Sequence, residues 1–222
     1  MTLYFTVNTV IEFFCLLIAC LCLYKDRDPI WRLCILYLLF TCATEVSAIH
    51  IRKVLNQSNL PLYNVFLLIE CGFISTFFYY LYKRYVNKTK WLMVWLSVFT
   101  LLFFGELMNN HFLSFTFKTA SVLSLVFVLA SLYFYYLILK DEKFERLYNY
   151  APFWWVNGTL IFYFGSTSTN IFFDYLIQDK ISNFAHSIRY IIFNILNVLL
   201  YCCWSYAFLC KYLQRKSSSS LA

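Results

Sequence analysis

Four glutamates, Glu12, Glu45, Glu70 and Glu106, stand in stretches of sequence that are otherwise almost wholly apolar. At the centre of a membrane-crossing helix a charge costs on the order of 2.5–3.5 kcal/mol on insertion scales, so these carboxyls are expected to face a bundle interior and not lipid. No Lys or Arg lies deep in any of these stretches, so an internal ion pair cannot neutralise them. Protonation, hydrogen bonding or a cation from outside must do so. Ligand or ion binding therefore competes with plain helix-to-helix hydrogen bonding, which is worth about 0.6–2 kcal/mol per contact.

Other polar residues fall into step with these acids. Asn8 precedes Glu12 by one helical turn, and Tyr63 precedes Glu70 by two, with Asn64 beside it. Tyr190, Asn194, Asn197 and Tyr201 follow one another at spacings of four, three and four, which makes one helical stripe. A further run, Ser166-Thr167-Ser168-Thr169-Asn170, lies at the same expected level. Together they predict a polar cavity, with Glu12, Glu45, Tyr63, Asn64, Glu70, Asn194 and Asn197 as its ligand-binding candidates.

Catalytic and metal-binding patterns are missing. His50, His111 and His186 all map near one membrane face, but a 100° step puts Glu45 and His50 about 140° apart on a helix. No HExxH, HxxxH, GxSxG or Gly-rich phosphate loop occurs. The nine cysteines, among them Cys202-Cys203 and Cys20-Leu21-Cys22, show neither a zinc spacing nor a CxxC pair, and they read as small apolar filler. No catalytic residue, metal or cofactor is expected, and an enzyme is the less favoured class.

The elements that would position these residues are set by hydrophobicity. Of 222 residues, 62% are apolar and only 13% charged, where an ordinary soluble domain carries roughly 25% charged residues. The apolar runs cover 3–24, 30–49, 62–82, 91–107, 119–139, 152–175 and 188–212. About twenty residues at about 1.5 Å rise match the ~30 Å hydrocarbon core of a bilayer. The fold class expected is thus all-α, a polytopic membrane protein with seven transmembrane helices. Residues 1–213 form its transmembrane domain, and 214–222 a polar, disordered cytoplasmic tail. The first run carries no basic leader and is broken by Glu12, so it reads as a permanent helix rather than a cleaved signal.

Charge sets the orientation. With the N-terminus outside, thirteen Lys and Arg residues fall on the cytoplasmic side and five on the exterior. The bias recurs at each connection, which predicts N-out, C-in. The net charge of +7 is then a record of insertion, and nucleic acid is not an expected partner.

Pro29-Ile30-Trp31 opens the second run and Pro152-Phe153-Trp154 opens the sixth, equivalent places in a 3+1+3 arrangement of two triple-helix bundles. Length and orientation resemble the small sugar transporters called SWEETs. That group carries proline inside its helices and its relatives carry Pro-Gln, whereas here the prolines sit at helix starts and no Pro-Gln occurs. The segments from Leu62-Tyr63-Asn64 to Ile69-Glu70, Phe153-Trp154-Trp155-Val156-Asn157-Gly158 with Tyr163-Phe164-Gly165, and Asn194-Ile195-Leu196-Asn197 resemble a family of small bacterial seven-helix membrane proteins without assigned activity. The resemblance implies the span count and points to Glu70, Asn64, Asn157, Asn194 and Asn197.

Three functions fit this reading. The first is an inner-membrane sensor that binds a small ligand from the exterior and signals through a partner protein. A small solute or ion-coupled transporter is the alternative, and an intramembrane lipid hydrolase is the third.

Overall fold

A computed structural model of the chain describes residues 4–86, 89–109, 114–141, 147–171 and 188–219. Among the described residues there are seven α-helices and no strand: α1 Val7–Leu23, α2 Pro29–Lys53, α3 Leu60–Lys83, α4 Thr89–Asn109, α5 Phe117–Lys140, α6 Ala151–Ile171 and α7 Ile188–Ser219. A 3-10 turn, Leu147–Asn149, precedes α6. By length and composition, α2, α3, α4, α5 and most of α7 are apolar enough to cross a membrane.

The two helices outside that group differ for readable reasons. In α1 the expected start moves inward, because Thr6 and Thr9 form a reciprocal capping box that sets the first turn at Val7. At 17 residues α1 is about 25 Å long. In α6 the run of small hydroxyl residues lowers hydropathy without breaking the helix. Thr159, Thr167, Ser168 and Thr169 each donate to the carbonyl four residues back, at 2.7–2.9 Å, a bond that satisfies the hydroxyl within its own helix. Buried residues Ala151, Trp155, Val156, Thr159 and Tyr163 show that α6 is a core helix.

Six helices close a ring in the order α1, α2, α3, α5, α6, α7 and back to α1, while α4 packs chiefly on α3 and α5 from outside. Phe99, Phe103 and Leu107 are the buried residues of α4. The ring is held by a column of aromatic rings. Trp31 meets Phe77 edge-on at 5.1 Å, Phe77 stacks on Trp155 at 3.9 Å, and Trp155 stacks on Trp204 at 5.3 Å. The Trp204 indole donates to Trp155 O at 3.1 Å and to Thr159 Oγ1 at 3.2 Å. Close approach of α7 to α6 depends on Gly158, where a Cβ would lie 2.8 Å from Cys203 Cβ and 3.1 Å from Leu200 O.

At the end of the bundle where α1 finishes, charges pair. Lys211 of α7 reaches Asp28 Oδ2 at 2.5 Å and Asp26 at 3.9 Å, and Arg215 reaches Asp26 at 3.9 Å. Gln214 donates to Asn149 O at 2.6 Å. These contacts carry α7 on through residues 214–219 as helix, where the sequence predicted a disordered tail. The basic residues there also suit the negative pole of the helix dipole.

Candidate functional site

The opposite end of the bundle, where α1 begins, holds a half-open cavity of about 490 Å³. The starts of α1, α3, α5 and α7 and the later parts of α2 and α6 all contribute to it, so α3 beside α5 and α7 beside α1 run the same way while the other neighbours in the ring are antiparallel. It reaches from Leu60 and Phe115 near that end down to Trp204, the last ring of the aromatic column.

Three carboxyls enter this space from three helices: Glu12 of α1, Glu45 of α2 and Glu70 of α3. Two of them accept a hydrogen bond from a tyrosine of another helix. The Tyr63 hydroxyl donates to Glu45 Oε2 at 3.0 Å, and the Tyr163 hydroxyl donates to Glu70 Oε1 at 2.6 Å. Tyr201 of α7 lines the same cavity as Glu12. A phenol donates a hydrogen bond but carries no positive charge, so the pairing orients the carboxyls without neutralising them. Glu12 is 5% exposed, and its Oε2 has no hydrogen-bond partner. Asn8 Oδ1, one turn away and also on the cavity, is buried without a partner. Buried acceptors left open in this way cost about 1–3 kcal/mol each.

Of the seven residues expected to bind ligand, Glu12, Glu45, Tyr63, Glu70 and Asn197 share this cavity. Asn64 and Asn194 do not line it. Asn64 instead clamps the chain entering α5. It donates to Ser114 O at 3.0 Å and accepts from Thr116 N at 3.1 Å and Thr116 Oγ1 at 3.3 Å. Asn64 points about 100° away from Tyr63 on the same helix, towards the backbone of residues 114–116 that it binds. Asn194 is three residues before Asn197, and its Oδ1 is buried and unpartnered away from the cavity lining.

Glu106, the fourth acid, caps α5 from α4. It accepts from Lys118 N at 3.0 Å and from Thr119 N and Oγ1 at 2.7 Å each. Free amides of a first turn favour a carboxylate, which explains an acid near the end of α4. Asn157 takes a 3.4 Å bond from the Tyr135 hydroxyl between α6 and α5. His50 accepts or donates at 2.9 Å with the Tyr4 hydroxyl. His111 and His186 lie outside the described residues.

Tyr37, Thr41, Thr44, Tyr163, Ser166 and Tyr201 also line the cavity and were not among the expected ligand-binding residues. On α2 the signal was present: Tyr37, Thr41, Thr44 and Glu45 fall at i, i+4, i+7 and i+8, one helical face. Tyr163 is harder to single out, as one of 19 tyrosines in the chain.

A second cavity, of about 420 Å³, lies at the end where α1 finishes and is lined in part by Lys83, Arg84 and Lys211. Beside it, Asp28 is held below the ordinary carboxylate range, chiefly by the hydrogen bond from Lys211 and also by that residue's charge. No protein-family model, curated protein or solved structure matches this chain.

Proposed function

We propose that this chain is a seven-span membrane protein, N-out and C-in, that binds a small molecule in the cavity between Glu12, Glu45 and Glu70. One observation carries the reading: three acids from three helices converge on one cavity, and no Lys, Arg or His lines it among the described residues. Glu45 and Glu70 are each met by one tyrosine, and Glu12 keeps an unpartnered oxygen, whereas Glu106, which only fastens helices, has three donors. The thirteen-to-five distribution of basic residues supports placing the acidic end outside, in an inner membrane of bacterial type. With Trp204 lining the cavity and stacked on Trp155, binding without passage is the favoured activity, and a signal would then go to a membrane partner through movement of the ring.

The ring order supports a second reading, a carrier. Two triple-helix units, α1 to α3 and α5 to α7, joined by a peripheral α4, would give the observed neighbours. Alternating access would then require the aromatic column to part.

The test is thermal unfolding of purified protein against a panel of small solutes, with Glu70→Leu beside wild type. The reading expects a solute that stabilises wild type and has no effect on a folded Glu70→Leu protein. A stabilisation equal in both would remove Glu70 from binding. Flux of that solute into proteoliposomes would replace the sensor with the carrier.

A further inference from the structure

Building on that reading of the cavity, we infer that its ligand is an organic cation, an ammonium group on an apolar or aromatic body. Glu12 Oε2 and Asn8 Oδ1 are buried acceptors with no donor, and both residues line the cavity. A ligand that brings donors or positive charge satisfies them, whereas an anion would add a third acceptor to the same place. Glu45 acts on Glu12 through space, so the two repel when both are charged and a cation between them relieves both. Arg52, two turns beyond Glu45 on α2, does not line the cavity. The hydroxyls of Tyr63 and Tyr163 are already spent on Glu45 and Glu70, and those of Thr41 and Ser124 on their own helices, so these four do not serve an acceptor-rich ligand.

The walls choose between kinds of cation. A bare metal ion wants six or more oxygens at about 2.0–2.6 Å, a small and rigid cage. This cavity is about 490 Å³ and is faced by Tyr37, Phe66, Phe162 and Trp204. Ring faces attract ammonium groups and pack against apolar ligand bodies.

The experiment uses benzyltrimethylammonium and its uncharged carbon isostere, neopentylbenzene, on the full chain in nanodiscs, read by tryptophan fluorescence and thermal unfolding. The expected result is saturable stabilisation by the ammonium probe and at least tenfold weaker binding to Glu12→Gln and to Glu45→Gln, both folded as wild type. Equal response to the two probes, unaffected by Glu12→Gln, overturns the cation class but leaves a binding cavity. Silence from the ammonium probe, or stabilisation by sodium or magnesium chloride alone, overturns it as well. Thr44→Trp fills the cavity and should abolish every probe effect; effects that survive it place binding elsewhere and remove the cavity reading too.

Discussion

Two cavities of similar volume, about 490 and 420 Å³, lie at opposite ends of one helix ring and carry opposite charge. At the basic end acids of the protein stand against two of the charges: Lys211 binds Asp28 and lies 3.9 Å from Asp26, Arg215 lies 3.9 Å from Asp26, and Trp31 lies under the Lys211 ammonium at 5.5 Å. At the acidic end Glu12, Glu45 and Glu70 have tyrosines but no cation. The same fold therefore uses charge in two ways. Paired charge fastens the α1–α2 connection to α7, and acids without a cation mark a place kept for something else. A group that only fastens helices gains nothing from standing open in a cavity.

The largest effect expected lies between the two ends. Trp155→Ala removes the centre of the aromatic column and should cost about 3–5 kcal/mol, as a fully buried aromatic does on truncation. Reversible unfolding in mixed micelles would check it. A loss under about 1 kcal/mol would mean that the column does not hold the ring, and Trp155 would not be core.

Next comes a contrast in sign. Asp26→Leu should destabilise by about 2 kcal/mol, because it leaves the partly buried Arg215 without its acid. Glu12→Leu should leave stability unchanged or raise it, since it removes an unsatisfied buried acceptor. The same unfolding measurement decides both. If Glu12→Leu cost as much as Asp26→Leu, the acidic end would be fastening as well, and the contrast would be gone.

The smallest effect is acid sensitivity at the basic end. The carboxyl of Asp28 is held below its ordinary value of 3.8 by Lys211. Its contribution is therefore fully present above that value and is lost as pH falls through the lower, folded-state value. Asp28 is 40% exposed, so solvent screening limits the contribution to less than about 1 kcal/mol. Lys211→Met should flatten the fall in unfolding temperature below about pH 4 relative to wild type. An unchanged acid limb would show that this pair does not couple to stability.

Much of the fold is legible in the chain because apolar length is a one-dimensional signal. All seven runs became helices, and Pro29, Pro61 and Pro152 stand in first turns as proline should. The ends were less legible. Thr6 shortened α1, and Gln214 and Arg215 prolonged α7 through partners far away in sequence. In the site, the acids were found because a carboxylate in an apolar run is conspicuous. Tyr63 and Tyr201 were found by their spacing, but Tyr163 was not, because a buried phenol and one at the lipid headgroups look alike in sequence. Asn64 and Glu106 were the instructive cases. Helical spacing gives the direction in which a side chain points, but not the open backbone amides of Thr116 or Thr119 that wait there.

The most direct test of the account compares two adjacent residues of α2. Thr44 lines the acidic cavity, whereas Ala43 is exposed on the outer face of the ring, where lipid would lie. Thr44→Cys and Ala43→Cys proteins in sealed vesicles would be treated with a membrane-impermeant thiol reagent, and mass spectrometry would locate the adduct. The account predicts modification at position 44, only from the side that carries the N-terminus, and none at position 43. Modification at 43 but not 44, or at 44 only from the opposite side, would contradict it.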